Sequence, residues 1–236
     1  MTAAPLPAGL SEVLARGDVW CGDTLARLPE AGIPSGHAQL DAELPGGGWP
    51  RGGLTELLCE RPGIGELSLL LPALAALSVA DGWIALVAPP WQPHAPAWAA
   101  AGLALERLVV VRAGRDAAWC CEQLLLSGGF AGILAWPPVG LDARALRRLQ
   151  VAAEGQPTLA CLWRPAAMAA TPSPAPLRLV LAPVAAGLAL HSLKRRGRPA
   201  AQPLTVTLPR SGKPRALVCP PFSLPAPRSA APQAVA

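Results

Sequence analysis

At 236 residues the chain has the length of one moderate domain with tails, and 52% of it is hydrophobic, enough for a large core. No membrane span is expected, because the longest apolar stretch, residues 67–88, is broken by Pro72, Asp81 and Gly82. The net charge of +5 is polarised: residues 1–60 carry three basic and eight acidic side chains, 61–176 eight and seven, and 177–236 nine and none. Such a C-terminal end suits an acidic partner, either nucleic acid or an acidic protein face.

The N-terminus has no early positive charge followed by an apolar run, so no signal peptide is expected. The six cysteines (Cys21, Cys59, Cys120, Cys121, Cys161 and Cys219) form no CxxC pair. They read as buried reduced thiols of a cytoplasmic protein rather than as a metal site.

In chain order, residues 1–35 form an N-terminal arm, a short amphipathic helix "GLSEVLARG" followed by an extended segment "DVWCGD". A core over 36–208 follows. Its apolar runs of strand length fall at 53–59, 83–88, 107–112, 131–136 and 158–163. Helical stretches at 65–80, 95–102, 115–127 and 142–154 alternate with them. The strands do not alternate in polarity, as expected when both faces are covered. Strand–helix alternation implies a mostly parallel, twisted sheet between two helix layers. After Pro165 the pattern changes. "AAMAATPSPAP" reads as a flexible loop, and "LRLVLAPV", "GLALHSLKRRG" and "PLTVTLP" read as consecutive strands of an antiparallel extension. Residues 209–236 are Pro- and Ala-rich, basic and aperiodic, and are predicted to be a disordered tail.

The string "IPSGHAQLDAELPGGGWPRGGLTELL" resembles the entry to the RecA recombinase core, with its Ser-Gly, Leu-Asp, Gly-rich turn and first strand. The resemblance runs over about residues 34–208 and implies an α/β, RecA-like P-loop-type core. More closely, "LDAELPGGGWPRGGLTELL" followed by "RPGIGELSLLLPALA" resembles the ImuA family, RecA-like accessory proteins of bacterial mutagenic repair.

The resemblance allows the nucleotide site to be checked by position. A phosphate loop needs G-x-x-x-x-G-K-[ST]: amides for the phosphates, a lysine for the β/γ oxygens and a hydroxyl for magnesium. Matching Gly65 to the second glycine places Glu60 at the first, Glu66 at the lysine and Leu67 at the hydroxyl. Ser68 lies one residue late. Gly63 and Gly65 keep the turn, while Glu66 is expected to face solvent at the helix start. A carboxylate about 4 Å from a phosphate charge would be repelled by roughly 4 kcal/mol at an effective dielectric near 20. The catalytic glutamate that RecA-type enzymes carry after the second strand is replaced by Pro90, and the Walker B aspartate by Trp136. With four chemical positions lost, neither ATP hydrolysis nor a cofactor is expected, and the retained loop reads as structural.

What remains is binding. Lys194, Arg195, Arg196 and Arg198 cluster at a turn, with Arg210, Lys213 and Arg215 following, and are the candidate contact for non-specific DNA or an acidic partner. No aromatic interleaves with them to stack on bases. In the arm, Val19 and Trp20 are candidate anchors in a partner's groove. The resemblance implies a non-catalytic role in SOS-induced error-prone translesion synthesis. It also implies the partners: the Y-family-like polymerase protein ImuB, an alternative replicative polymerase subunit, and RecA. Two other readings stay open, a SulA-like inhibitor of cell division binding FtsZ and an active RecA-type ATPase.

Overall fold

The computed structural model describes residues 31–137, 141–195 and 203–208. Its strands are β1 (Leu54–Cys59), β2 (Ile84–Val87), β3 (Leu108–Val111), β4 (Gly132–Ala135), β5 (Leu159–Pro165), β6 (Leu177–Val184), β7 (Gly187–Lys194) and β8 (Leu204–Thr207). The helices are α1 (Ala38–Glu43), α2 (Glu66–Val79), α3 (Ala95–Ala100), α4 (Ala117–Ser127) and α5 (Ala143–Ala153). The five apolar runs and four helical stretches of the sequence each fall within two residues of an observed element.

All eight strands join one sheet in the order β3-β2-β4-β5-β1-β6-β7-β8. The first six positions are parallel, and antiparallel pairing begins only between β6 and β7. This corrects the expectation for "LRLVLAPV". β6 is not the first strand of an antiparallel extension but a parallel neighbour of β1, with Glu56 opposite Arg178. The reason is the connection from β5. Residues 166–176 carry the chain back along the sheet, so β6 starts at the same end as β1.

Side chains alternate between two cores, as the pleat requires. On one face Leu57 and Cys59 of β1, Leu86, Cys161 and Leu179 pack under α2, α3 and the segment 33–49, which contributes Ile33, Leu40, Leu44 and Trp49. On the other, Leu54, Val87, Ile133 and Leu162 pack under α4 and α5. The "SG…LD" stretch has a local explanation. Asp41 Oδ1 accepts the Ser35 amide at 2.8 Å, while Leu40 beside it is buried. Ile33 and Trp49 then exchange backbone hydrogen bonds at 2.7 and 2.8 Å, closing the segment on itself. Gly48 is required there, since a Cβ would lie 2.2 Å from the Ile33 carbonyl oxygen.

Among the buried residues of β1 is one charge. Glu56 is fully buried and sits between two arginines. Arg178 Nε donates to its Oε2 at 2.7 Å, and Arg164 Nη1 to its Oε1 at 3.2 Å. Ser173 Oγ donates to Oε1 at 2.6 Å. Arg178 also donates to the carbonyls of Met168 and Ala169, at 2.8 and 3.4 Å. The segment 166–176, expected as a flexible loop, is therefore pinned: it opens with a 3-10 turn (Ala166–Ala170) whose carbonyls satisfy a buried guanidinium. No helix among the described residues is long and apolar enough to cross a membrane.

Replacing Glu56 by Gln removes the charge and leaves two guanidinium groups, 5% and 7% exposed, without a counter-ion. Loss of one partner from a buried ion cluster costs about 3–5 kcal/mol. Glu56→Gln should therefore lower the urea midpoint markedly, whereas the exposed-pair variant Asp81→Asn should change the unfolding free energy by about 1 kcal/mol or less. Equal midpoints for the wild type and Glu56→Gln would refute this account.

Candidate functional site

The turn between β1 and α2 holds the residues that the sequence aligns with a phosphate loop. Glu60, Arg61, Pro62 and Gly63 are exposed, and the chain bends into α2 through Gly65, whose φ is +103°. That left-handed conformation belongs to glycine. Glycine is needed for a second reason: a Cβ here would stand 3.2 Å from Leu208 Cδ1. Leu208, just past β8, is itself 8% exposed and closes over the turn.

Glu66 does not face solvent. It is 4% exposed, and its carboxylate folds back onto the turn that precedes it. The Gly63 amide donates to Oε1 at 2.9 Å and the Ile64 amide to Oε2 at 2.8 Å. This corrects the expectation of an exposed, dispensable charge. The first amides of a helix and the turn before it lack intrahelical acceptors and carry the positive end of the helix dipole. They attract an anion, and this chain supplies one covalently, one residue into α2. Two of the amides that would cradle a bound oxyanion are thus already paired. Beneath them, burial and, second, the charge of Glu66 push the Cys59 thiol up to about 11.

The remaining positions offer no chemistry. Leu67 is half-buried against the core of α2 and offers no oxygen ligand. Trp136, just past β4, donates its amide to the Val87 carbonyl at 3.0 Å. Its ring stacks on Trp163 of β5 with centroids 4.4 Å apart and planes 14° from parallel. Trp163 packs in the same core cluster as Cys59 and Leu69, so an indole pair stands where an acidic strand end was sought. Neither indole Nε1 has a hydrogen-bond partner among the described residues. Pro90 is exposed on the connection after β2, and in the sheet β4 and β5 separate that strand from β1. The structure therefore brings Gly63, Gly65 and Glu66 together in one hydrogen-bonded turn and leaves Pro90 apart from it. Among the described residues no group of three or more His, Cys, Asp or Glu could hold a metal ion.

The basic cluster divides. Lys194 ends β7, is exposed, and donates from Nζ to the Ser173 carbonyl at 2.9 Å. Arg195 does not present a free cation: its side chain is 10% exposed and pairs with Glu43 of α1 at 2.8 Å. It also donates to the Glu43 carbonyl. Arg196, Arg198, Arg210, Lys213 and Arg215, and the arm residues Val19 and Trp20, lie outside the described residues.

Sequence reasoning missed Trp163, Leu208 and the Glu56 cluster. For Glu56 a signal existed: one acid and two arginines, Arg164 and Arg178, each stand inside an otherwise apolar strand. For Leu208 there was none, since its contact with Gly65 spans most of the chain.

Among family models, that of the MT3502 N-terminal domain matches residues 42–160, half of the chain. Among solved structures, SulA from Pseudomonas aeruginosa is similar at 26% identity, over 48% of this chain and 97% of that one, with a TM-score of 0.39. No curated protein matches.

Removal of the Glu66 carboxylate leaves two amides without their acceptor. Hydrogen bonds to a charged group are worth about 1.5–3 kcal/mol each. With water able to reach the turn from its exposed side, Glu66→Ala should destabilise by roughly 2–3 kcal/mol in urea unfolding. Gly65→Val should cost on the order of 1–3 kcal/mol through the positive φ alone, and more through contact with Leu208. A Glu66→Ala variant as stable as the wild type would show that the carboxylate does not hold the turn.

Proposed function

For this chain, which belongs to the MT3502 N-terminal domain family, we propose a non-catalytic role as a RecA-like accessory protein of SOS-induced error-prone translesion DNA synthesis. It works in the cytoplasm by binding the Y-family-like polymerase protein ImuB, an alternative replicative polymerase subunit, and RecA. The family match agrees with the resemblance of "LDAELPGGGWPRGGLTELL" and "RPGIGELSLLLPALA" to ImuA-type proteins.

One observation carries the non-catalytic part. The Glu66 carboxylate occupies the Gly63 and Ile64 amides at 2.9 and 2.8 Å. A nucleotide phosphate would need those donors, and would meet a buried negative charge in place of a lysine. Leu67 and Trp136 at the positions of the magnesium-binding hydroxyl and the Walker B acid support the same reading. On it, the core is a scaffold whose surfaces are recognised by partners.

Calorimetry with ATP and magnesium tests the first half. The expected result is no hydrolysis and an affinity no better than about millimolar, or some 4 kcal/mol of binding. Micromolar binding would reject the non-catalytic assignment. For the second half, the full chain should capture purified ImuB in a pull-down. Capture of FtsZ instead would favour the SulA-like reading of cell-division inhibition.

A further inference from the structure

We propose that the groove between α5 and the end of β7 is a binding site for the phosphate backbone of nucleic acid. The choice of nucleic acid over an acidic protein rests on the reading above, that the chain works at DNA; the site itself rests on geometry. The groove is open, about 370 Å³, and lined by Arg147, Gln150, Glu154, Pro174, Lys194 and Arg195 among others. Arg147 is exposed and is the cation that α5 turns into it. Arg144, also exposed, lies three residues earlier and so on the same side of the helix. Neither makes an ion pair among the described residues, whereas Arg148, on the neighbouring side, is committed to Glu122.

From the opposite wall comes Lys194. Its ammonium has three protons, one of which is placed on the Ser173 carbonyl at 2.9 Å. That bond holds the charge at the wall and leaves two donors. The charge of Arg195 is already balanced by Glu43. The one acid in the lining, Glu154, is contacted by Gln150 Nε2 at 3.3 Å. Arg147 and Lys194 in the lining, with Arg144 beside them on α5, therefore outweigh one carboxylate, on helix and strand rather than on a loop.

The lining contains no aromatic side chain, so there is no platform on which bases would stack. The amide in the lining is not free to read base edges: Gln150 is buried, with Oε1 accepting the Leu54 amide at 3.0 Å. The expected binding is thus electrostatic and indifferent to sequence. This places the contact on α5 and the β7 end, rather than on the turn beyond Lys194 alone.

The test is fluorescence anisotropy of a labelled DNA duplex of arbitrary sequence with the full-length chain, titrated at several salt concentrations. Neutralising about three phosphates predicts a slope of log K against log salt near −3. The double variant Arg144→Ala/Arg147→Ala should weaken binding at low salt and make the slope about two units shallower, with an unchanged melting temperature because both side chains are exposed. It should still capture ImuB, so that loss of DNA binding and loss of the partner are read separately. Equal affinity and slope for wild type and double variant would overturn the assignment. So would undetectable binding of duplex at low salt, whether or not a poly-glutamate control binds; binding of poly-glutamate alone would give the groove to an acidic protein.

Discussion

Glu56 is the constraint from which the rest of the sheet takes its register. A carboxylate buried at the centre of β1 is tolerable only if compensating donors arrive from both neighbouring strands, and they do, Arg164 from β5 and Arg178 from β6. Whether such a cluster adds net stability is doubtful on general grounds, since desolvating three charges offsets much of their attraction. Its effect on specificity is clearer. Because side chains alternate across a strand, a slip of one residue in β1 would turn Glu56 into the apolar core beneath α2, among Leu57, Leu70 and Leu74. Arg178 also fixes residues 166–176 through the Met168 and Ala169 carbonyls, and that segment delivers β6 parallel to β1. One acid thus determines which strands flank β1, in which direction, and where the turn at its end emerges.

At that end the chain meets a second buried carboxylate, and the two behave differently. Glu56 is held by buried cations on other strands, while Glu66 is held by backbone amides within three residues of itself. The second arrangement needs no tertiary partner to form. It closes the turn before α2 from within, and Leu208, just past β8, packs against that turn at Gly65. A turn whose geometry suits a phosphate is stabilised by a group that cannot leave.

Most of the architecture could be read from the sequence because it follows from hydrophobic pattern. Runs such as "WIALVA" and "AGILAW" are too short for helices, unalternated, and separated by helical stretches, which leaves few alternatives to a parallel sheet between helices. What escaped were features set by tertiary geometry. The pattern identified β6 as a strand but could not give its direction, because the connection before it lacks a helix and its turn is shaped by Arg178. Glu66 escaped because a charged residue at a helix start is most often solvated. Yet the spacing offered a clue: a Glu just past two glycines at a strand–helix turn is placed to reach back to the turn's amides, as in a capping box. Arg195 was counted with its basic neighbours in sequence, although Glu43 lies far away along the chain and beside it in space.

Within the turn, Glu66 acts as an internal ligand of the Gly63 and Ile64 amides. For a nucleotide to bind, the carboxylate must leave its two amides and re-enter water, and Leu208 must move from Gly65. Breaking the first contact alone costs on the order of 2–3 kcal/mol, and each 1.4 kcal/mol weakens an affinity about tenfold. A site that lost only its lysine would still hold a phosphate weakly through its amides. A site whose amides are also taken loses roughly another hundredfold. The substitution at position 66 therefore does two things at once: it withdraws the attraction for phosphate and it supplies the anion that the turn requires. A lysine at that position would leave the Gly63 and Ile64 amides without this acceptor, so the side chain that holds the turn is also the one that competes with a phosphate for it.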